Sequence, residues 1–147
     1  MPDTNAALLT NVRIVLEGQL PTADEIAVLL GVAPMKYWRA GGVIARSPLG
    51  SRREVDTCIY SVRVEQPATL PDPGEAVTQL LGLFPDLSAF SKFGPSVTKS
   101  CVLGVTGYTE RPYASLSPAV LGQLALSGVS LYVDFYDLSG VEQPTQQ

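Results

Sequence analysis

The sequence predicts an α+β fold, with a mainly antiparallel or mixed sheet and its helices on one face. Segments with an apolar residue at every second position, typical of half-buried strands, alternate with segments that have apolar residues at helical spacing. Their order along the chain is β-α-β-β-α-β, followed by one more helix and strand. Because the first six elements match a ferredoxin-like split βαβ unit, we expect a ferredoxin-like βαββαβ core extended by a C-terminal helix and strand.

The first strand and helix have clear sequence signals. Leu8 to Glu17 alternates between apolar and polar residues, which predicts a strand with one buried face. Thr22 stands three residues before Glu25, the spacing of a capping box, and Gly31 is placed to end the helix in a left-handed conformation. Glycine and proline punctuate the next stretch, which predicts loops with at most one short edge strand, near Val43 to Arg46.

The remaining elements follow from the same two patterns and from residues that favour helix ends. The segment from Val97 to Tyr108 is apolar at both alternating positions, which predicts an interior strand covered on both faces. The other elements are, in order, a strand over Val55–Val64, a helix from Pro73 to Phe84 capped by Asp72, a helical turn from Pro85 to Phe93, a helix from Pro118 capped by Ser117 and ended by Gly128, and a last strand over Val129–Tyr136.

Length and charge limit the number of domains and the class of function. The 147 residues make one α+β domain, residues 1–140, followed by a polar C-terminal tail, residues 141–147. The net charge of −4 argues against a nucleic-acid binder that works through a basic face. The sequence contains no histidine, which excludes a histidine general base, a histidine-based triad and every histidine-ligated metal site. No motif predicts a metal or a cofactor.

The cysteines and the apolar segments bear on the cellular compartment. Cys58 and Cys101 fall inside apolar strands and are too few for a disulfide framework or a zinc site, so we expect two buried, reduced thiols. The N-terminus lacks the basic region and apolar run of a secretory signal, and no apolar run reaches the ~18 residues of a membrane span. These features predict a cytoplasmic protein that does not enter a membrane.

An aromatic segment after the first helix is a candidate for contact with a partner. It contains Tyr37, Trp38 and Arg39, and these residue types are the ones that most often anchor interfaces, because they combine a large area with a polar group. The alternative is a structural role, in which Trp38 closes the open end of the sandwich and Arg39 covers the ring of Trp38.

A polar loop with two tyrosines is the second candidate. The segment from Tyr108 to Tyr113 lies at the end of a strand, where sites often occur, and contains Glu110 and Arg111. We expect Glu110, together with Glu54 and Asp56, to be an exposed acid that contacts a partner. The alternative is an ordinary crossover whose tyrosines cover the sheet edge.

Two further pairs of residues have structural interpretations. Gly104 and Gly107 do not lead into a helix N-terminus, as a phosphate-binding loop requires, and we interpret them as turn or close-packing glycines. Asp134 and Asp137 lie three residues apart on one strand and therefore point to opposite faces, unlike a catalytic carboxylate pair. We expect these two acids to solvate a sheet edge and to discourage its pairing with another strand.

Two motifs carry a resemblance to a known family. They are LLGVAPMKYWRAG, from Leu29 to Gly41, and LSPAVLGQLALSGVSLYVDFY, from Leu116 to Tyr136. With these motifs the chain resembles the bacterial family called domain of unknown function 4279 (DUF4279), over most of its length from about Thr10 to Asp137. The motifs contain no catalytic group, and the resemblance implies no established reaction.

Together these features predict a non-catalytic protein-binding protein rather than an enzyme. Small acidic α+β proteins without cofactors are common as immunity proteins that neutralise secreted bacterial toxins by direct binding, and acidity would steer this chain to a basic toxin. The alternative is a small-molecule-binding or regulatory module with a pocket at the sheet end. We expect no nucleic-acid or membrane partner, and a homodimer through the last strand stays open. The candidate partner-binding residues are Tyr37, Trp38, Arg39, Glu54, Asp56, Tyr108, Glu110, Arg111 and Tyr113.

Overall fold

The computed structural model describes residues 7–41, 54–67, 73–107 and 115–137 of the chain. The predicted polar tail, residues 141–147, lies outside them. The elements are β1 (Ala7–Gly18), α1 (Ala23–Leu30), β2 (Lys36–Trp38), β3 (Asp56–Pro67), α2 (Pro73–Leu81), a 3₁₀ helix (Leu87–Lys92), β4 (Val97–Gly107), α3 (Pro118–Ser127) and β5 (Ser130–Asp137).

The five strands form one mixed sheet in the order β2-β3-β1-β4-β5. β1 runs antiparallel to both β3 and β4, and β2 runs antiparallel to β3. β5 runs parallel to β4, as a crossover through α3 requires. The predicted α+β fold with a mixed sheet is therefore confirmed.

Local capping interactions define the helix ends that the sequence predicts. The Thr22 hydroxyl accepts a hydrogen bond from the Glu25 backbone N–H at 3.2 Å and donates to the Glu25 carboxylate at 3.1 Å. Gly31 ends α1 with a φ of +81°, a left-handed conformation that glycine adopts at low cost. The Ser117 hydroxyl caps α3 by accepting from the Val120 backbone N–H at 3.2 Å. These three predictions depend on neighbouring residues only and are confirmed. The predicted cap Asp72 lies outside the described residues, and α2 ends at Leu81 rather than at the predicted Phe84.

The hydrophobic core lies between the helices and one face of the sheet. The central strand β1 contributes Val12, Ile14 and Leu16, each with no exposed surface. Tyr60 and Phe84 lie in the core with their ring centres 4.9 Å apart and their planes close to perpendicular, which is a favoured aromatic geometry. Residues from every helix complete the cluster, among them Ile26, Leu30, Val77, Leu80, Phe90, Val120 and Leu124.

The two cysteines belong to this core, as predicted. Cys58 and Cys101 are both free thiols with no exposed surface. Burial raises the pKa of the Cys58 thiol to about 12 and that of the Cys101 thiol to about 11, because the apolar surroundings disfavour the thiolate. Both side chains therefore act as small apolar residues.

A short edge strand occurs at a position that the sequence analysis does not predict. Among the described residues, the strand between α1 and β3 is Lys36–Trp38, and the predicted position near Val43 to Arg46 lies outside them. Three residues are too few to show an alternating pattern. The sequence therefore favours the apolar residues Val43 and Ile44 as the strand instead.

The described residues do not support the prediction that β4 is covered on both faces. The strand is interior in the sheet, between β1 and β5, but only one of its faces packs against helices in the described part of the chain. Leu103 and Val105 have no exposed surface, whereas Val102 and Gly104 on the other face are half-exposed. Val102 is apolar but only half-buried, so its residue type alone wrongly indicates a buried position.

Candidate functional site

Three of the predicted contact residues meet at one corner of the sheet, where they connect parts of the fold. The Tyr37 hydroxyl donates to the Pro21 carbonyl at 2.7 Å, and the Arg39 guanidinium lies 5.5 Å from the centre of the Tyr37 ring. Arg39 also forms an ion pair with Asp56 at 3.3 Å. The structural alternative, in which Arg39 covers the ring of Trp38, is therefore corrected: Arg39 covers Tyr37.

Asp56 is the centre of this corner. Its carboxylate accepts hydrogen bonds from the backbone N–H of Ala40 at 2.8 Å and of Leu20 at 3.1 Å, in addition to the bond from Arg39. The bond from Ala40, the bond from Leu20 and the charge of Arg39 together lower the pKa of this carboxyl below its ordinary value. Its side chain is 13% exposed, so it differs from the exposed acid that the sequence predicts.

The other predicted contact residues do not join this corner. Trp38 is half-buried and lies opposite Thr57 on the face of the sheet that faces away from the core. Glu54 is exposed, two residues before β3 begins. Tyr108, Glu110, Arg111 and Tyr113 lie outside the described residues. The structure thus brings together Tyr37, Arg39 and Asp56. Trp38 lies on the opposite face of the sheet from Tyr37.

The face opposite the core carries no helix in the part of the chain that the structure describes. We call it the open face. The strand register aligns its side chains in rows that cross β1, β4 and β5. Three neighbouring rows are Arg13–Val102–Tyr132, Asn11–Gly104–Asp134 and Leu9–Thr106–Tyr136.

These rows form a concave site of about 230 Å³, which we call the sheet trough. Its position follows from the register of three strands, two of which are distant from β1 in sequence. Its side chains are polar, aliphatic and aromatic, a mixture typical of recognition surfaces. The residues that line it are Leu9, Asn11, Arg13, Val102, Gly104, Thr106, Asp134 and Tyr136.

Gly104 forms the floor of the trough. A glycine inside a strand costs roughly 0.5–1 kcal/mol relative to alanine, because it loses more backbone freedom on folding. Among the described residues, a Cβ at Gly104 would meet only the Asn11 carbonyl oxygen, at an ordinary contact distance of 3.5 Å. Packing within the described fold therefore does not require this glycine, and the close-packing interpretation is not supported. A missing side chain at such a position lets a ligand or another backbone approach closely.

Two charges of opposite sign lie on different strands of the trough. Arg13 is exposed on β1, and its side chain forms no hydrogen bond or ion pair within the described residues. Asp134 is exposed on β5, and β4 separates the two strands by about 10 Å in total. No ion pair joins these two side chains in the structure. A bound group can accept hydrogen bonds from Arg13 and donate to Asp134 while it packs on Gly104.

A second concave surface lies on the helical side of the molecule, where Asp24, Glu25, Val28 and Leu29 of α1 adjoin Lys92. The two acids belong to the first turn of α1, where they stabilise the helix dipole. Val28 is 87% exposed, but single exposed apolar residues are normal on a protein surface. Because this surface lies on the helical side, substitutions on it can serve as controls for substitutions in the trough.

The trough residues were not among the sequence-predicted contacts. The sequence indicates that Arg13 points away from the core, but this feature describes any solvent-facing strand position. The informative signal is a glycine in the middle of an apolar strand, at Gly104, because that choice costs stability without an evident turn. Its meaning depends on which residues lie beside it, and only the register shows that. Within the described ranges, no group of three or more cysteine, aspartate or glutamate side chains could hold a metal ion.

The fold defines an α+β protein in which helices cover one face of the sheet and no helix of the described residues lies on the other. The chain belongs to the family described as domain of unknown function (DUF4279), whose model matches residues 9–138. Comparisons with curated proteins and with solved structures find no match. None of the helices among the described residues has the length and apolar character needed to cross a membrane.

Proposed function

We propose that this protein is a non-catalytic protein-binding protein that recognises its partner with the sheet trough. The observation that carries the proposal is Gly104, a half-exposed glycine on a concave surface, where the described residues leave room for a side chain. Arg13 beside it is a charged group without a partner in the described chain, and Tyr136 adds an aromatic side chain that is 55% exposed. Tyrosine and arginine are enriched at the energetic centres of protein interfaces.

The chemistry of the trough supports binding rather than turnover. Among the described residues, its lining includes one carboxylate, Asp134, and no cysteine or lysine that could act as a nucleophile. The full sequence contains no histidine to serve as a general base.

We place the protein among immunity-type proteins, which neutralise a secreted bacterial toxin by direct binding in the cytoplasm. Its net charge of −4 favours approach of a basic partner over long distances. Arg13 then requires a hydrogen-bond acceptor at the contact itself, which supplies specificity. Buried thiols such as Cys58 and Cys101 are compatible with a reducing compartment.

We also propose that β1 to β4 form a ferredoxin-like core to which α3 and β5 were added. The strand order β2-β3-β1-β4 and the antiparallel direction of each of these neighbours support it. The parallel β5 then extends the open face by one strand, and it contributes Asp134 and Tyr136 to the trough.

The test is affinity capture from a lysate of the source cells, with a matched pair of variants. Wild-type protein is expected to retain one stoichiometric protein, which Arg13→Glu loses because the substitution reverses the charge in the trough. Val28→Asp on α1, at an 87% exposed position of the helical side, is expected to retain it. Co-expression with the captured protein should relieve its toxicity for wild type and not for Arg13→Glu. Equal retention by both variants, or no stoichiometric partner at all, contradicts the proposal.

A small-molecule-binding module is the second candidate, because the trough has about 230 Å³, close to the size of a small ligand site. The sequence predicts such a pocket at the end of the sheet, lined by Trp38, Arg39, Tyr108 and Arg111, whereas the trough lies elsewhere on the open face. A screen of metabolites by thermal shift separates the candidates. A compound that stabilises wild type and not Arg13→Glu, without any captured protein, favours this second function.

A further inference from the structure

The last strand, β5, is the outermost strand of the sheet on one side, and it is incompletely covered in the described part of the chain. Val133 and Phe135 lie on the core side of the sheet, because they pair with Leu103 and Val105 of β4. Leu103 and Val105 have no exposed surface, whereas Val133 is 39% exposed and Phe135 is 48% exposed.

On the core side of the sheet, side-chain exposure therefore increases sharply from β4 to its neighbour β5. A further strand that continues the same sheet would cover Val133 and Phe135 as β5 itself covers the side chains of β4. A strand edge also presents unpaired backbone groups, which pair readily with another strand. A strand added at the edge of β5 would therefore form backbone hydrogen bonds with β5 and apolar contacts with Val133 and Phe135.

We propose that β5 pairs antiparallel with β5 of a second copy of this chain, about a two-fold axis that passes at Val133. The pairing joins two five-stranded sheets into one continuous sheet, with the helices of both copies on the same side. This inference is independent of the proposed function, since a monomer could also bind a partner with its trough.

The register follows from the faces of the strand and from its charge. Opposite residues in an antiparallel pair share a face, so the axis must pass at a residue rather than between two residues. An axis at Asp134 would place two carboxylates directly opposite each other, which is unfavourable. An axis at Val133 pairs Val133 with itself, Leu131 with Phe135, and Tyr132 with Asp134.

These pairs are complementary on both faces. On the core side, Leu131 and Val133 supply the apolar contact that the half-exposed Phe135 lacks. On the open face, the hydroxyl of Tyr132 in one copy can donate to the Asp134 carboxylate of the other, and the two-fold axis repeats this bond. Tyr132 of the second copy would then border the trough of the first beside Asp134. The self-complementarity argues for a second copy of this chain rather than an unrelated strand.

From the sequence, Asp134 is expected to discourage such pairing. That expectation holds for a register that brings like charges together, or for a charge directed into the interface. In the register at Val133, Asp134 lies on the solvent-facing side and opposite an uncharged tyrosine. The acid then disfavours the register with the axis at Asp134 without preventing association.

Sedimentation velocity over a range of protein concentrations is the first test. Wild type is expected to sediment as a dimer whose dissociation constant Phe135→Lys raises by roughly a hundredfold or more, because each interface would then bury charges. Val28→Lys, with the same charge change on α1, is expected to remain a dimer. Circular dichroism of both variants verifies that the fold is retained. A wild-type monomer at every concentration, or a dimer unaffected by Phe135→Lys, overturns the proposal.

Disulfide formation tests the register even if Phe135→Lys does not fold. In the proposed register the two Cα atoms at position 133 lie about 4.5–5.5 Å apart, within the range that a disulfide spans. The two Cα atoms at position 134 lie about 8 Å apart, beyond that range. Mild oxidation should therefore cross-link Val133→Cys and not Asp134→Cys, while native Cys58 and Cys101 stay buried and reduced. Equal cross-linking of the two variants, or preferential cross-linking of Asp134→Cys, contradicts the register.

Discussion

The two faces of the sheet share the same strands and differ in what their residues do. On β1, Val12 and Ile14 point to the helices and have no exposed surface. Asn11 and Arg13, which alternate with them along the strand, point away from the helices and are exposed. The covered face holds a continuous apolar cluster that stabilises the fold. The open face carries Arg13, which has no ion-pair partner among the described residues, and Gly104, a residue type that usually lowers strand stability relative to alanine. The comparison shows that burial on the covered face limits which residues preserve the fold, whereas residues on the open face can vary with less cost in stability.

The largest expected effect is the loss of apolar volume on the covered face. Leu103→Ala should lower the free energy of unfolding by about 2–5 kcal/mol, because it removes buried methyl groups and leaves a cavity. Val102→Ala, one residue away on the open face, should cost less than about 1 kcal/mol. Urea denaturation measures both. Equal losses at the two positions would contradict the division between the faces.

A smaller and pH-dependent effect is expected at the corner formed by Asp56. Asp56→Asn should destabilise the protein by about 1–2 kcal/mol at neutral pH, because it weakens charge-assisted hydrogen bonds. The pKa of this carboxyl is lowered in the folded state, so its contribution is present above the unfolded pKa, ordinarily 3.8. The contribution is then lost as the pH falls through the folded pKa.

Denaturation of Asp56→Asn and wild type between pH 2 and pH 7 checks the sign of this dependence. The difference in stability should shrink as the pH falls below about 4. Glu54→Gln, at an exposed acid two residues away, should change stability by less than about 0.5 kcal/mol. A difference for Asp56→Asn that is constant across this range would show that the carboxylate charge is not what stabilises the corner.

A gain in stability is expected at Thr10, on the covered face. Its hydroxyl has no exposed surface and finds no hydrogen-bond partner among the described residues. Thr10→Val should raise the free energy of unfolding by about 1 kcal/mol, because it replaces an unpaired buried polar group with a methyl of similar size. Thr10→Ser keeps the hydroxyl and should not show this gain. Thermal melts of the three proteins decide between these outcomes, and a loss for Thr10→Val would indicate that the hydroxyl has a partner.

The sequence predicts best what depends on neighbouring residues. Thr22, Gly31 and Ser117 cap helices where expected, because capping involves residues within a few positions. The buried alternation of β1 and the location of both cysteines in the core were also predicted.

Properties that arise between strands were not predictable. The three residues of β2 gain their position from pairing with β3, not from a pattern of their own. Val102 is apolar, so sequence alone could not show that its face carries no helix. The trough needs the register of Gly104 with Asn11 on one side and Asp134 on the other, and no local pattern encodes it.

The central claim is that Gly104 serves contact at the expense of stability, and one substitution series tests it directly. Gly104→Ala and Gly104→Thr should raise the free energy of unfolding by up to about 1 kcal/mol, because strand propensity improves and the Cβ meets only an ordinary contact. The same variants should lose the captured partner in order of size, with threonine weaker than alanine and alanine weaker than wild type. Stability and affinity measured on the same preparations give the answer. Retained affinity in Gly104→Thr would contradict the account, and so would a loss of stability that accompanies the loss of binding.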